Sequence, residues 1–263
     1  MSTSTPRVSL VALSEPLLPS IEAVAEQLIE RFPDAPPLAL TSESGSGVTF
    51  RLGVAGGPQA TGNYTLVDKP IPWEQIEGPC TLAWYWPDAA DVMRHHGQHL
   101  FLTLVDESKD PIERMIHLTQ LTVAIAATTP SAGLVWAPNV TVHNPVDFAQ
   151  MAAKMTRDDL PLQLWVDFRI SQRDDGGLML FTTGMESLGH REFEVERFSG
   201  EPTILTNAVY NIAHYVLGSA PGGGRPILKD GEAIGLPDGA QMNVEVAPSM
   251  IDANLEVVRL KFE

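Results

Sequence analysis

The spacing of the hydrophobic residues changes repeatedly along this chain, and that change constrains its fold more than any other feature. From Ile21 to Phe32 the apolar residues stand three and four positions apart, which is the period of one helix face. From Leu162 to Ile170 they stand at every second position, the period of a strand with one buried face. Both patterns recur between glycine- and proline-rich turns, so the sequence predicts an α+β fold.

The first 107 residues are predicted to form a ferredoxin-like unit, because strand and helix patterns follow one another in the order βαββαβ. Ser20 is the expected N-cap of the first helix, and residues 33–47 are predicted to be a loop. Residues 108–263 are predicted to form a second α+β unit. Its sheet is expected to be mixed, mainly antiparallel, accompanied by helices and packed against the first unit.

Trp165 stands out in the second unit because it falls on the polar phase of the predicted strand Leu162–Ile170. The turn Asp174–Gly177 joins that strand to another at Leu178–Thr183. An outward-facing tryptophan covers a junction between subdomains or anchors a partner, since tryptophan is a frequent interface hot spot. Trp165 is therefore a predicted partner-binding residue.

A row of glutamates is the second predicted partner-binding feature. Glu192, Glu194 and Glu196 alternate with Phe193 and Val195, which predicts a strand with one acidic, solvent-facing row. Such a row would either be neutralised across the sheet by Arg169 and Arg173 or meet a basic partner. The substitution Glu194→Lys is accordingly expected to slow association with that partner and to leave the fold intact.

The charge balance limits the classes of partner. The chain has 17 Lys and Arg against 33 Asp and Glu, a formal net charge of −16. This charge opposes general binding to nucleic acid or anionic membranes, whose recognition needs clustered cations. It favours solubility or electrostatic steering towards a basic protein.

The expected compartment is the cytoplasm, because no segment reaches the roughly 18 apolar residues of a membrane span and no signal-peptide pattern is present. The single cysteine, Cys80, excludes an internal disulfide and is expected to pack as a small hydrophobic residue.

Two groups of polar residues are candidates for chemistry. His95 and His99 are four positions apart and would supply two metal ligands if one helix carried both. Glu186, His190 and Glu192 could form an acid/base set, although alternating glutamates at any strand edge provide such pairs. Phosphate-loop, dinucleotide and nucleophile-elbow motifs are absent from the sequence, and no cofactor is predicted.

Several segments resemble an uncharacterised bacterial family, domain of unknown function 4261, over most of the chain. They are Ile71–Trp73, Trp84–Pro87, His95–His99, Leu162–Phe168 and Phe181–Val195. Residues 189–235 also resemble suppressor-of-fused-type domains, through Gly189–Val195, Pro202, His214–Val216 and Leu228–Ile234. The second resemblance implies a protein-binding module of the kind associated with toxin immunity in bacteria.

The sequence therefore predicts a non-enzymatic, acidic protein-binding module, of an immunity type or from a toxin neighbourhood. A metal-assisted hydrolase built on Glu186, His190 and Glu192 is the first alternative. A structural scaffold is the second.

Overall fold

The computed structural model describes residues 5–54, 59–218, 227–235 and 241–262. The chain divides into two compact units, Met1–Met155 and Thr156–Glu263, each combining helices with a mostly antiparallel sheet. The α+β class is confirmed. The boundary expected after residue 107 falls inside the first unit, because strand Ser131–Trp136 pairs with strand Arg7–Leu13 of the same sheet.

The described part of the first unit is a seven-stranded sheet with five helices. Its elements are β1 Arg7–Leu13, α1 Ile21–Arg31, β2 Leu38–Ser44, β3 Gly47–Leu52, β4 Ala60–Val67, α2 Trp73–Leu82, α3 Ala89–Arg94, β5 Gln98–Asp106, α4 Pro111–Ala127, β6 Ser131–Trp136, β7 Thr141–His143 and α5 Pro145–Ala152. The strands lie in the order β2-β3-β4-β5-β1-β6-β7.

This strand order corrects the ferredoxin-like prediction. A ferredoxin-like plait places its first strand between its third and fourth, so β1 would pair with β4, whereas here β5 lies between β1 and β4 and pairs with both. The short helices α2 and α3 return the chain to the position beside β4, so the β4-to-β5 connection acts as a wide hairpin. The predicted loop 33–47 also contains a strand, since β2 pairs with β3.

Helices cover both faces of this sheet. Ser20 caps α1, because its Oγ accepts a hydrogen bond from the Ala23 amide at 3.3 Å, as predicted. On one face α1 contacts α4, and Ser9 Oγ lies 2.7 Å from Thr122 Oγ1 of α4. On the other face α2 and α3 pack around β1, β6 and β7. Cys80 is buried there, and this burial raises the pKa of its thiol to about 11.

His143 is the most completely buried histidine of the described chain. Its ring stacks on Tyr85 and meets Phe148 edge-on, with ring centroids 5.6 and 5.4 Å away. The Thr141 hydroxyl donates to Asn139 Oδ1, so His143 Nε2 donates to Thr141 Oγ1 at 2.9 Å. Burial lowers the pKa of His143 to about 3. The imidazole is therefore neutral at pH 7 and carries its proton on Nε2.

The described residues of the second unit form a six-stranded mixed sheet in the order β11-β12-β13-β10-β9-β8. Its elements are α6 Leu162–Trp165, β8 Asp167–Gln172, β9 Leu178–Thr183, a 3-10 turn Glu186–Leu188, β10 Phe193–Phe198, α7 Pro202–Leu217, β11 Ala233–Gly235, β12 Gln241–Pro248 and β13 Glu256–Phe262. β10 and β13 are parallel, and the other described pairs are antiparallel. Helix α7 contacts β8 and β9.

Trp165 was wrongly predicted to face outward. Leu162–Trp165 forms one helical turn, closed by a hydrogen bond from the Val166 amide to the Leu162 carbonyl at 2.7 Å. The strand begins only at Asp167, so the period-two alternation does not apply to Trp165, whose side chain is fully buried. Trp165 thus belongs to the core and offers no surface to a partner.

The hairpin that follows matches the prediction more closely. Strands β8 and β9 pair antiparallel, and Gly176 occupies the left-handed region with φ of 81° at the predicted turn. Among the described residues, no helix is both long and apolar enough to cross a membrane.

Candidate functional site

Glu194 does not belong to a solvent-facing row. Its side chain is 2% exposed and accepts hydrogen bonds from the Ser249 hydroxyl and from the Met250 amide, the latter at 3.0 Å. Arg259 of β13 lies opposite it in the register, with 3.7 Å between Arg259 Nη2 and Glu194 Oε2. The loop Ser249–Leu255 is therefore fixed to this face of β10, and Glu194 is removed as a partner-binding residue.

Ser249, which donates a hydrogen bond to Glu194, also forms hydrogen bonds within its own loop. Its Oγ accepts hydrogen bonds from the Ile251 and Asp252 amides at 3.0 and 3.1 Å. Its backbone amide donates to the Leu255 carbonyl at 2.9 Å, which closes the loop. One buried carboxylate thus fixes the position of Leu255.

Glu192 has a similar role in a second loop, which joins β9 to β10. Its Oε1 accepts hydrogen bonds from the amides of Gly184 and Glu186 at 2.8 and 3.1 Å. Its Oε2 accepts one from Thr182 Oγ1 at 2.7 Å. Of the three glutamates in the predicted row, Glu196 is exposed, Glu192 is half-buried and Glu194 is buried.

A pocket of about 720 Å³ lies between these two ordered loops. Glu186, residues 189–192, Ile227–Leu228 and residues 254–258 line this loop pocket. Ile227 is 70% exposed and Leu255 is 46% exposed, while Leu228 is buried behind them. Exposed apolar side chains around a concavity are typical of a binding surface.

Charged groups stand around the apolar part of the loop pocket. Arg191 forms an ion pair with Glu256, with 2.5 Å between Nη2 and Oε2. Glu186 is exposed, and none of the described residues donates a hydrogen bond to its carboxylate. The half-buried ring of His190 meets Phe193 edge-on at 6.0 Å between ring centroids.

The predicted acid/base residues Glu186, His190 and Glu192 thus share one pocket. Both oxygens of Glu192 already accept hydrogen bonds, from Thr182 of β9 and from two amides of the β9–β10 loop, which gives this carboxylate a structural role in holding the loop. Across the residues that the structure describes, no three His, Cys, Asp or Glu side chains converge in a way that could hold a metal ion.

The predicted histidine pair is separated by the fold. His95 is exposed at the end of α3, and its Nδ1 lies 2.7 Å from the Asp91 carbonyl oxygen. His99 is buried in β5, and its Nδ1 lies 2.8 Å from the Lys69 carbonyl oxygen. Helix α3 ends at Arg94, so the two rings do not share the helix face that the metal hypothesis required.

Replacing Glu192 by alanine should loosen the β9–β10 loop without unfolding the unit. The change removes the acceptor for two amides and one hydroxyl, and we expect a loss of about 1 to 2 kcal/mol in the free energy of unfolding. Urea denaturation monitored by tryptophan fluorescence measures this loss. Hydrogen exchange should accelerate most at the amides of Gly184 and Glu186, and unchanged exchange there would contradict the role given to Glu192.

Comparison with known proteins adds one family match. The model of a domain of unknown function, DUF4261, matches residues 181–261, which run from β9 to β13 and include the loop pocket. The predicted resemblance is therefore supported for this C-terminal part. No curated protein and no solved structure matches the chain. The likeness of residues 189–235 to suppressor-of-fused-type domains remains a prediction.

The binding residues predicted from the sequence do not include Ile227, Leu228 or the loop Ser249–Leu255. One signal was present: Met250, Ile251 and Leu255 are apolar residues in a segment otherwise typical of a turn, with Asp252 and Asn254 between them. Apolar residues in an ordered turn are exposed unless other elements cover them. All three are exposed, from 36% for Met250 to 57% for Ile251.

Proposed function

We propose that this protein is an acidic protein-binding module that uses the loop pocket to hold a basic protein partner. The proposal rests on one observation: loops beside the pocket are held in place by hydrogen bonds, and apolar side chains there are exposed to solvent. Two hydrogen-bonded carboxylates, Glu192 and Glu194, fix two loops beside the loop pocket, and the loop held by Glu194 keeps Met250, Ile251 and Leu255 exposed. A surface fixed before binding loses less conformational entropy on association, which favours affinity.

Charge supports a basic partner. The formal net charge is −16, and the titratable residues lining the loop pocket include three glutamates against one arginine. Complementary charge raises the association rate and discriminates against acidic competitors. The apolar side chains at the centre, Ile227 and Leu255, would supply contact area, and the glutamates would act as the polar rim.

The more specific form of the proposal is an immunity-type or toxin-neighbourhood role, in which the partner is a basic toxin. The likeness of residues 189–235 to suppressor-of-fused-type domains supports this form. Genes adjacent to the one encoding this chain are the first candidates for the partner.

Capture from an extract of the native host tests the proposal. Immobilised wild-type protein should retain a basic protein in near-stoichiometric amount. Salt at about 0.5 M should release much of it, because a Debye length of about 4 Å screens the attraction between the two charged surfaces. The double variant Ile227→Ser, Leu255→Ser should lose most of this protein. Ile204→Ser changes an exposed residue of α7 instead and should retain it. Equal retention by both variants would contradict the proposal.

A metal-assisted hydrolase is the second candidate, and the meeting of Glu186, His190 and Glu192 at one pocket favours it. Elemental analysis of protein purified without an affinity tag tests it directly. Stoichiometric zinc or manganese that is lost in His190→Ala would support this candidate over the first.

A further inference from the structure

We infer that the loop pocket receives one arginine or lysine side chain of the partner, an aliphatic stem that ends in a cation. This inference rests on the proposed function and names the chemistry of its central contact. It follows from the way the loop pocket combines apolar side chains with Glu186, whose carboxylate is neutralised by none of the residues that the structure describes.

The apolar wall suits a stem of methylene groups. Ile227, Leu228 and Val257 provide aliphatic side chains, and Leu255 adds another from the loop that Glu194 holds. Long cationic side chains bury their stems along apolar surface and keep the charged end in a polar setting. A volume of about 720 Å³ leaves ample room for one such chain together with water.

The carboxylate that remains for the cation is Glu186. Arg191 and Glu256 neutralise one another at 2.5 Å, and Glu192 is occupied by Thr182 and two amides. Glu186 stands on the 3-10 turn at the margin of the loop pocket, with an exposed carboxylate that accepts no hydrogen bond from the described chain. A guanidinium or ammonium group would form a charge-assisted hydrogen bond with it.

An anionic side chain fits the loop pocket less well. Arg191 is the one lining cation among the described residues, and its ion pair with Glu256 would have to open before it could bind an anion. A wholly apolar side chain would leave Glu186 without a partner in the complex and would partly desolvate it. A cation with an aliphatic stem would contact the apolar side chains and pair with the Glu186 carboxylate at the same time.

An NMR titration of the full chain with side-chain analogues tests this inference. The probes are n-butylguanidinium and n-butylammonium, compared at constant ionic strength with guanidinium, which lacks the stem, and with 1-butanol, which lacks the charge. We expect saturable shifts at the amides of residues 186–192 and 254–258. The apparent Kd should be at least about tenfold weaker for guanidinium and for 1-butanol, the loss of roughly one good contact.

Two variants with the same change of charge separate the loop pocket from general attraction to an acidic protein. Glu186→Gln should weaken binding of n-butylguanidinium at least about fivefold. Glu196→Gln, an exposed residue beyond the loop pocket, should leave it unchanged. Equal weakening in both variants, shifts spread over the whole acidic surface, or no shift at all would overturn the inference.

The same variants distinguish this inference from the proposed function. If the captured partner depends on Ile227 and Leu255 but binds Glu186→Gln as tightly as wild type, the partner-binding role stands and the cation contact is wrong. If the analogues bind at residues 186–192 but the double variant retains the captured protein, the loop pocket binds a cation and the proposed partner site is wrong.

Discussion

Replacing Glu194 by alanine should lower the free energy of unfolding by about 3 to 5 kcal/mol, the range for removing one partner of a buried ion pair. The substitution leaves the Ser249 hydroxyl and the Met250 amide without their acceptor and leaves Arg259 without one of its two carboxylates. The loop Ser249–Leu255 would lose its attachment to β10. Chemical denaturation with a two-state fit measures the change, and hydrogen exchange in the loop locates it.

Glu196→Ala is the matched control, because Glu196 is two positions along the same strand and is exposed. Its effect should stay within about 0.5 kcal/mol. The sequence pattern alone predicted that changing Glu194 would leave the fold intact. A loss below 1 kcal/mol in Glu194→Ala would restore that interpretation and contradict the buried position of the carboxylate.

Acidification should destabilise the protein well before its carboxylates are protonated, and His143 should account for much of the effect. A histidine has a pKa near 6.5 in the unfolded chain, whereas burial lowers the pKa of His143 to about 3. The contribution of His143 to stability is complete above pH 6.5 and declines as the pH falls towards 3. The expected slope is about 1.4 kcal/mol per pH unit, or about 3 kcal/mol in total at pH 4.

Other groups add to the acid response in the same direction. Burial also lowers the pKa of His96, His99 and His214, which extends the loss below pH 6.5. The pKa of Asp106 is lowered as well: its burial acts to raise it, but hydrogen bonds from His117 and the Ser108 amide outweigh that effect. Because its folded pKa is depressed, Asp106 contributes stability that is lost only as the pH falls through the acidic range.

The slope of unfolding free energy against pH isolates the part due to His143. His143→Gln should make the slope between pH 6 and 4 shallower by about 1.4 kcal/mol per unit, whatever its stability at pH 7. Phe148→Leu disturbs the packing beside the ring but keeps the imidazole, so it should lower stability at every pH and retain the wild-type slope. Parallel slopes for wild type and His143→Gln would show that His143 does not titrate between the folded and unfolded states as described.

The sequence predicted a helix, cap or turn well where residues close together in the chain determine it. The stripe from Ile21 to Phe32 defines α1 and its cap at Ser20 because helix periodicity and capping act within a few residues. The turn at Gly176 was predictable for the same reason, since its positive φ is a local requirement. These signals do not state which strands become neighbours.

The predictions that failed depend on contacts between distant parts of the chain. The sheet order places β5 between β4 and β1, and no pattern within a single segment specifies that order. Trp165 lost its predicted exposure because the chain makes one helical turn before β8 begins. An alternating pattern cannot report such a change of conformation inside it.

In the candidate site, too, local features were predictable and contacts between distant segments were not. The row of glutamates was visible in the sequence, and its members do matter for the site. Their burial was not visible, because Glu194 is covered by a loop 55 positions further along the chain. The loop pocket therefore combines one segment predicted to be functional, residues 186–192, with two segments in which no binding residue was predicted, Ile227–Leu228 and residues 254–258.

Site-specific photo-crosslinking in the native host tests the central claim, that the loop pocket binds a basic protein, most directly. A photoreactive phenylalanine analogue is placed at Ile227, which lines the loop pocket, or at Ile204 on α7, which is also exposed and lies outside it. We predict one dominant covalent adduct from position 227, containing a basic protein, and none of that adduct from position 204. The absence of any adduct at position 227, or the same adducts from both positions, would contradict the claim.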